Sequence, residues 1–290
     1  MNKFVILIPS FNDWDCLNLL IPQIDYAIKD INNEISILII NDGSTLKNNL
    51  SFKKILKLKN IEVLNLKKNV KAQIAIATGL SYLKKNNFKG GIIVMDADGQ
   101  DDPKNLVDII NEAKKEPEKT ITINRTKRDD GLFFQILYQA YLYITFFLTW
   151  KYLKYGVYSY LHFTSLDKIL STNDINLAYV GSLAKHFRKK KIIYAPRKKR
   201  ILGKSQNNYF SLIHFALKVI SVFKNRVLVT SLMFMLFNFL LFDFNVYLII
   251  ILLLLLFFNI MVFSIATKIN KSELVKNILA NVGYIESVKN

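Results

Sequence analysis

The sequence predicts an α/β fold built on a mostly parallel sheet, and three observations predict it. Short runs rich in β-branched residues recur between stretches of helix length, several of these runs are apolar throughout, and acidic residues stand at or just beyond their carboxyl ends. The runs are "KFVILIP" (3–9), "ISILIIND" (35–42), "IEVLNL" (61–66), "GIIVMDAD" (91–98) and "KTITIN" (119–124). Residues 14–30, 48–58, 71–86 and 103–115 read as helices, the last with proline in its first turn. Strands alternating with helices enter a parallel sheet by right-handed crossovers, and ligands of such sheets gather at the strands' carboxyl ends.

Composition separates two explanations of the charge. With 40 Lys+Arg against 22 Asp+Glu, the net charge of +18 would point a soluble protein toward nucleic acid. The mean hydropathy of +0.21 and 21 Phe, with the apolar residues concentrated near the C-terminus, point to a membrane surface instead. The single Cys16 excludes an intramolecular disulfide, so cytoplasmic exposure is expected. The opening "MNKFVILIPSFND" breaks its apolar run at Pro9 and lacks a small-residue cleavage site, and so reads as a strand and not a signal peptide.

Acid at strand ends is the main functional signal. Asp13 follows the first strand, Asp42 ends the second, and Asp96 and Asp98 end the fourth. No G-x-G-x-x-G or G-x-x-x-x-G-K-[ST] follows any strand, which excludes a dinucleotide fingerprint and a P-loop. A D-x-D closing an apolar strand can turn two carboxylates toward one pocket, where a hard divalent cation would neutralise them and bridge a diphosphate. Four aspartates crowd positions 96–102, so a cationic group belongs among them. Simpler readings stand beside these. Asp42-Gly43 can be a tight turn, Asn69 an N-cap, and Asp101 and Asp102 the lead-in to the helix at Pro103, with Asp102 as its cap.

"IPSFND", "INDGST", "NVKAQIAIATGL" and "VMDADGQDDP", in this order, resemble the glycosyltransferase family 2 catalytic domain of the GT-A fold. More narrowly the chain resembles the polyprenyl-phosphate glycosyltransferases, the group that includes dolichol-phosphate mannose synthase, from residue 3 to about 225 and on into a C-terminal membrane hairpin. The resemblance implies that Pro9, Asn12 and Asp13 line the nucleotide pocket, that Asp42 hydrogen-bonds the base, and that Asp96 and Asp98 serve ribose, diphosphate and a Mg²⁺ or Mn²⁺ ion. It places Gln100 toward the sugar or the acceptor, and Asp98 and Gln100 as the catalytic pair. Two departures stand out. The family often has glutamate where this chain has Asp13, and Gly-Lys where this chain reads Val70, Lys71, Ala72 after Asn69, so the phosphate contact of that lysine does not carry over to Ala72.

Arg125 and Arg128, just after the fifth strand, can reach an anionic pocket or stand on the surface. The uncharged stretch 132–150 is long enough to span a bilayer, but its Gln, Thr, Tyr and Trp content suits a helix lying at the interface, with a buried domain helix as the plainer reading. Residues 185–204 hold ten Lys/Arg and no acid. No aromatic ladder accompanies them, which favours anionic lipid over nucleic acid. The run ends in Arg200, Gly203, Lys204 and Ser205, which resembles the R-x-x-G-x-S signature of the same transferases. By that resemblance Arg197, Arg200, Lys204 and Ser205 hold the lipid phosphate.

Two uncharged stretches, 227–242 and 244–266, flank Asp243. The second spans a core of about 30 Å, and the first reaches by extending back through "VISVF" with Lys224 and Arg226 snorkelling. Basic residues flank only the outer ends, which places both termini in the cytoplasm. The expected organisation is therefore a GT-A core at 1–130, an acceptor-side and interfacial region at 131–225, a hairpin at 226–268 and a cytoplasmic tail at 269–290. The sheet is expected to need nothing from the hairpin, so truncation after Lys224 is expected to leave a domain that still binds nucleotide. The expected activity is inverting transfer of a sugar from a nucleotide sugar to a polyprenyl phosphate. A glycan or another lipid as acceptor, or a non-catalytic membrane module, are the alternatives, and self-association into a homo-oligomer is left open.

Overall fold

A computed structural model describes residues 2–52, 55–126, 132–203, 209–241 and 245–289. The first half alternates as the sequence predicts: β1 (Lys3–Ser10), α1 (Trp14–Ala27), β2 (Glu34–Asn41), β3 (Ile61–Leu66), α2 (Ala72–Lys85), β4 (Gly91–Val94), α3 (Asn105–Lys115) and β5 (Thr120–Arg125). The second half adds α4 (Leu132–Thr149), β6 (Tyr155–His162), α5 (Ser165–Leu170), α6 (Asp174–Leu177), α7 (Tyr179–His186) and β7 (Lys190–Ala195). It closes with α8 (Tyr209–Ser221), α9 (Lys224–Leu241), α10 (Val246–Asn270), α11 (Glu273–Lys276) and β8 (Val282–Lys289).

One sheet runs in the order β7-β5-β6-β4-β1-β2-β3-β8. The pairs β1/β2, β1/β4, β2/β3 and β5/β7 are parallel, while β6 is antiparallel to both β4 and β5, and β8 is antiparallel to β3. Alternation along β1 explains its apolar run. Ile6 and Ile8 enter the layer under α1 and α3, with Leu17, Leu20 and Ile109, whereas Val5 and Leu7 enter the opposite layer with Ile76 and Leu80 of α2 and Tyr179 of α7. A strand covered on both faces has no solvent side to make polar.

Three expectations are corrected here. Residues 48–52 and 55–58 are not helical. The N–H groups of Leu56, Lys57 and Leu58 go to the buried carboxylate of Asp25 at 2.9, 2.8 and 2.7 Å, and those of Leu50 and Ser51 go to Asn48 and Asn18. Donors taken by side chains cannot serve a helical ladder. The fourth strand ends at Val94, so Asp96 and Asp98 lie on the loop beyond it, which Met95 joins to the sheet through its N–H to Leu7 O at 3.1 Å. The C-terminal residues do not form a free tail. β8 caps the β3 edge, and Lys289 Nζ donates to the carbonyls of Ile55 and Leu58 at 2.6 and 2.8 Å.

α9 and α10 are each long and apolar enough to cross a membrane, and little of either is buried within the protein (22% and 17%). α9 does not extend back through "VISVF" as expected. The chain turns at Val222–Phe223, where Arg226 N and Val227 N bond to Phe223 O, which leaves α9 about 27 Å long. α4 is not a buried domain helix either: Leu142, Thr145 and Thr149 are buried, while Ile136, Tyr143, Ile144, Phe146 and Phe147 are exposed.

Candidate active site

The loop after β4 carries the acidic cluster. Asp101 is buried, and its Oδ2 accepts the backbone N–H of Asp96 at 3.0 Å while Oδ1 lies 3.7 Å from Arg125 Nη2. Arg125 fits because residue 156 has no side chain: a Cβ on Gly156 would stand 2.5 Å from its Nη2. Asp96 is held above the usual carboxylate range by burial, then by the neighbouring charges of Asp101 and Asp98, against the opposing pull of Arg125 and Arg197. Asp102 is the residue that leads into α3, accepting the Lys104 N–H at 3.0 Å and pairing with Lys198 at 2.9 Å.

Asp98 faces the other way. Its Oδ1 accepts the Gln100 N–H at 3.0 Å, and its Oδ2 accepts from Arg200 Nη1 at 3.2 Å. The second guanidinium nitrogen of Arg200 donates to Asp13, and its Nε to Leu202 O at 2.8 Å. Burial raises the Asp13 pKa, Arg200 lowers it and Asp98 raises it.

A strap from Pro196 to Gly203 lies across this loop. Lys198 N donates to Gln100 O and Ile201 N to Asp98 O, both at 3.0 Å, and Arg197 Nη2 donates to Gln100 Oε1. Gly99 is required beneath it, since its φ is +75° and a Cβ there would stand 2.2 Å from Ile201 Cδ1. The cationic groups that the crowded aspartates call for are thus Arg125 on one side and Arg200 on the other, with Lys198 on Asp102.

The remaining predicted residues are placed as follows. Pro9 is buried inside β1, opposite Ile40. Asn12, at φ +58°, clamps two loops together: its Oδ1 accepts the N–H groups of Thr45 and Leu46 at 2.9 and 3.1 Å, and its own N–H goes to Ser44 Oγ at 2.9 Å. Asp42 is buried, and its Oδ1 accepts the Val70 N–H at 2.6 Å; burial pushes its pKa up to about 6 despite that bond. Asn69 Oδ1 accepts the Lys71 N–H at the entrance to α2. Arg128, Lys204 and Ser205 lie outside the described residues. Asp101 belongs to this buried cluster, whereas sequence reasoning left it in the lead-in to the helix at Pro103. The one signal for it is that a single aspartate, Asp102, already suffices there.

Among the described residues no group of three or more His, Cys, Asp or Glu is assembled to hold a metal. The donor chemistry nevertheless fits a hard divalent cation, because Asp13 and Asp98 already share one positive charge, that of Arg200, through carboxylate oxygens.

A mixed α/β sheet of this order, with an acidic D-x-D loop at the carboxyl end of a central strand, defines a nucleotide-sugar transferase of the GT-A fold. The chain belongs to glycosyltransferase family 2: the family described as "Glycosyl transferase family 2" matches residues 5–169. It is a glycosyltransferase. No curated protein matches it significantly.

Solved structures share the fold. Mannosyl-3-phosphoglycerate synthase from Rubrobacter xylanophilus is 13% identical, with 78% of this chain and 74% of that one covered at a TM-score of 0.52. S. aureus TarS 1-349 in complex with UDP-GlcNAc is 13% identical, with 96% and 88% covered at 0.50. Glucosyl-3-phosphoglycerate synthase from Mycobacterium tuberculosis in complex with Mn²⁺ and UDP-glucose is 11% identical, with 78% and 79% covered at 0.51.

Proposed function

We propose that this enzyme moves a sugar from a nucleotide-sugar donor to a polyprenyl phosphate at the cytoplasmic membrane face, with inversion at the anomeric carbon. The observation that carries the reading is that the strap bonded to the acidic loop is followed along the chain by α8 and the apolar hairpin. The strap that bonds Asp98 and Gln100 precedes α8, and Val219 and Val222 at the end of α8 join one apolar cluster with Ala266 of α10. An acceptor with a phosphate head and an apolar tail matches both ends of that arrangement. Because β8 returns to the sheet after α10, both outer ends of the hairpin lie on the side of the catalytic domain, and the lysines and arginines at those ends support the reading of that side as cytoplasmic.

The chemistry asks little of the protein. A phosphate monoester has a second pKa of about 6, so the acceptor is already anionic near neutral pH and needs no strong base. One of its oxygens bonds to the anomeric carbon as the bond from that carbon to the nucleoside diphosphate breaks, and the diphosphate leaves with the electron pair. Asp96 and Asp98, the latter joined to Asp13 through Arg200, would hold Mg²⁺ or Mn²⁺, which when bound supplies charge stabilisation for the leaving diphosphate. Asp42 stands at the base-binding strand end, Gln100 faces the sugar, and Arg125, Arg197 and Arg200 bring guanidinium forks to phosphate oxygens of donor or acceptor.

The test is a panel of nucleotide sugars incubated with the full-length protein, one polyprenyl phosphate and Mn²⁺. A lipid-linked sugar product from one donor is expected. Donor turnover that never labels the lipid, or labels a glycan instead, would assign the acceptor to another class.

A further inference from the structure

A second cluster of charge lies where the catalytic domain meets the hairpin, and it is wholly cationic. Arg226, in the first turn of α9, donates from Nη1 to the Thr149 carbonyl at the end of α4 at 3.0 Å, and its guanidinium lies over the rings of Phe223 (5.5 Å) and Trp150 (6.0 Å). Lys151 follows Trp150 directly. Lys190, the first residue of β7, donates to the Tyr155 hydroxyl at 2.6 Å. Burial holds the Lys151 ammonium below its usual pKa, followed by the charges of Arg226 and Arg188, and Lys190 is pushed down to about 8 by burial and by Lys151. Among the described residues, none of these four forms an ion pair with a carboxylate.

Like charges brought together without a counter-ion cost free energy that an anion would recover. The surroundings identify what carries that anion. Just beyond Arg226, α9 exposes Leu228, Val229 and Leu232; α4 exposes Phe146 and Phe147, and Trp150 and Tyr152 stand exposed beside Lys151. Basic and aromatic side chains collaring an apolar belt mark the headgroup level of a bilayer.

We propose that Lys151, Arg188, Lys190 and Arg226 form a binding site for the phosphodiester headgroup of an anionic bilayer lipid. The proposal rests on the membrane reading above. It is separate from the substrate site: Lys190 begins β7, and Ala195, at the other end of that strand, pairs with Arg125. Five residue steps of strand, about 16 Å, separate them. A lipid seated there fixes the height of the catalytic domain over the bilayer and so the depth at which the acceptor is met.

The experiment uses the full-length protein in a neutral detergent, with phosphatidylglycerol binding read by native mass spectrometry. Lys151→Gln/Arg188→Gln removes two charges that make no hydrogen bond within the described residues, so the fold should survive; Lys29→Gln/Lys85→Gln removes two exposed charges elsewhere. Each basic residue near an anionic surface is worth about a factor of five, so the first variant should bind phosphatidylglycerol roughly 25-fold more weakly while the second binds as wild type does. Equal losses in both variants, or no loss in the first, would overturn the site. So would displacement of phosphatidylglycerol from the wild type by an equal concentration of decyl phosphate, because the cluster would then belong to the phosphomonoester acceptor. Flotation with liposomes reads the membrane reading separately: if neither wild type nor variant floats, that reading has failed and the lipid site fails with it, whereas normal flotation with unchanged adducts rejects the site alone.

Discussion

Arg200 Nη1 lies 3.2 Å from Asp98 Oδ2, and the same guanidinium also holds Asp13, so one arginine joins the end of β1 to the loop after β4. A lysine keeps the charge but offers no planar fork, so it serves one carboxylate and leaves the other facing a like charge. In Arg200→Lys the kcat/KM for transfer should fall by about tenfold or more, with flotation on liposomes unchanged. Wild-type kinetics in this variant would reduce Arg200 to one more unit of basic surface.

Asp98→Asn separates charge from shape at the same point. The amide oxygen can still accept the Gln100 N–H that Asp98 Oδ1 accepts at 3.0 Å, so the loop should keep its form. What is lost is the negative charge available to a cation at the leaving group, worth about 10²-fold or more in rate. Turnover in saturating Mn²⁺, measured beside thermal unfolding, checks this. Near-normal activity would remove Asp98 from the cation's ligands.

Asp42 carries a stability prediction with a definite sign. Its native pKa of about 6 lies above the 3.8 of an ordinary aspartate, so the native state binds more protons than the unfolded chain between those limits. Its contribution to stability is therefore most favourable below about pH 4, declines as pH rises to about 6, and stays low above that. Asp42→Asn keeps an oxygen for the Val70 N–H and removes the buried charge, so it should stabilise the fold at pH 7 by about 1–3 kcal/mol and flatten the decline. Urea unfolding at pH 4, 5, 6 and 7 gives the comparison, and a variant less stable than wild type at pH 7 would contradict the burial argument. Activity should fall in the same variant if Asp42 serves the base.

The apolar strands were legible because burial on both faces leaves an unbroken signature, as in β1 and β2. β6 and β7 were not, because Tyr155 to Val157 and Lys190 to Tyr194 keep partly or well exposed side chains, and "KKIIYA" reads as part of a basic run. The helix expected at 48–58 failed for a reason no local pattern holds: its donors are claimed by Asn18 and Asp25 of another element. The D-x-D loop was legible as a motif, but its electrostatic partners were not. Arg200 and Asp98 are about a hundred positions apart, and only the fold shows that the R-x-x-G-x-S arginine meets Asp13 and Asp98. Asp101 was hidden by Asp102, since both suit the start of a helix and only burial distinguishes them.

The last strand gives the prediction furthest from the sequence reading. Truncation after Lys276 removes the turn at Ile278–Asn281 and all of β8 while leaving both apolar helices in place. The Lys67 N–H would lose Asn281 O (2.8 Å), Lys67 Nζ would lose Ala280 O (2.8 Å), the carbonyls of Ile55 and Leu58 would lose Lys289, and β3 would become an open edge. Net losses near 1 kcal/mol per hydrogen bond, together with an unprotected edge, should lower the Tm by roughly 5 °C or more and promote aggregation. Tyr284→Ser, at a side chain that is 65% exposed, is the control and should leave Tm nearly unchanged. Differential scanning calorimetry in detergent, with size-exclusion chromatography on the same samples, decides the matter. A truncated protein with wild-type Tm and elution would return residues 282–289 to the status of a dispensable tail, and would free the catalytic sheet from any dependence on the segment that follows the hairpin.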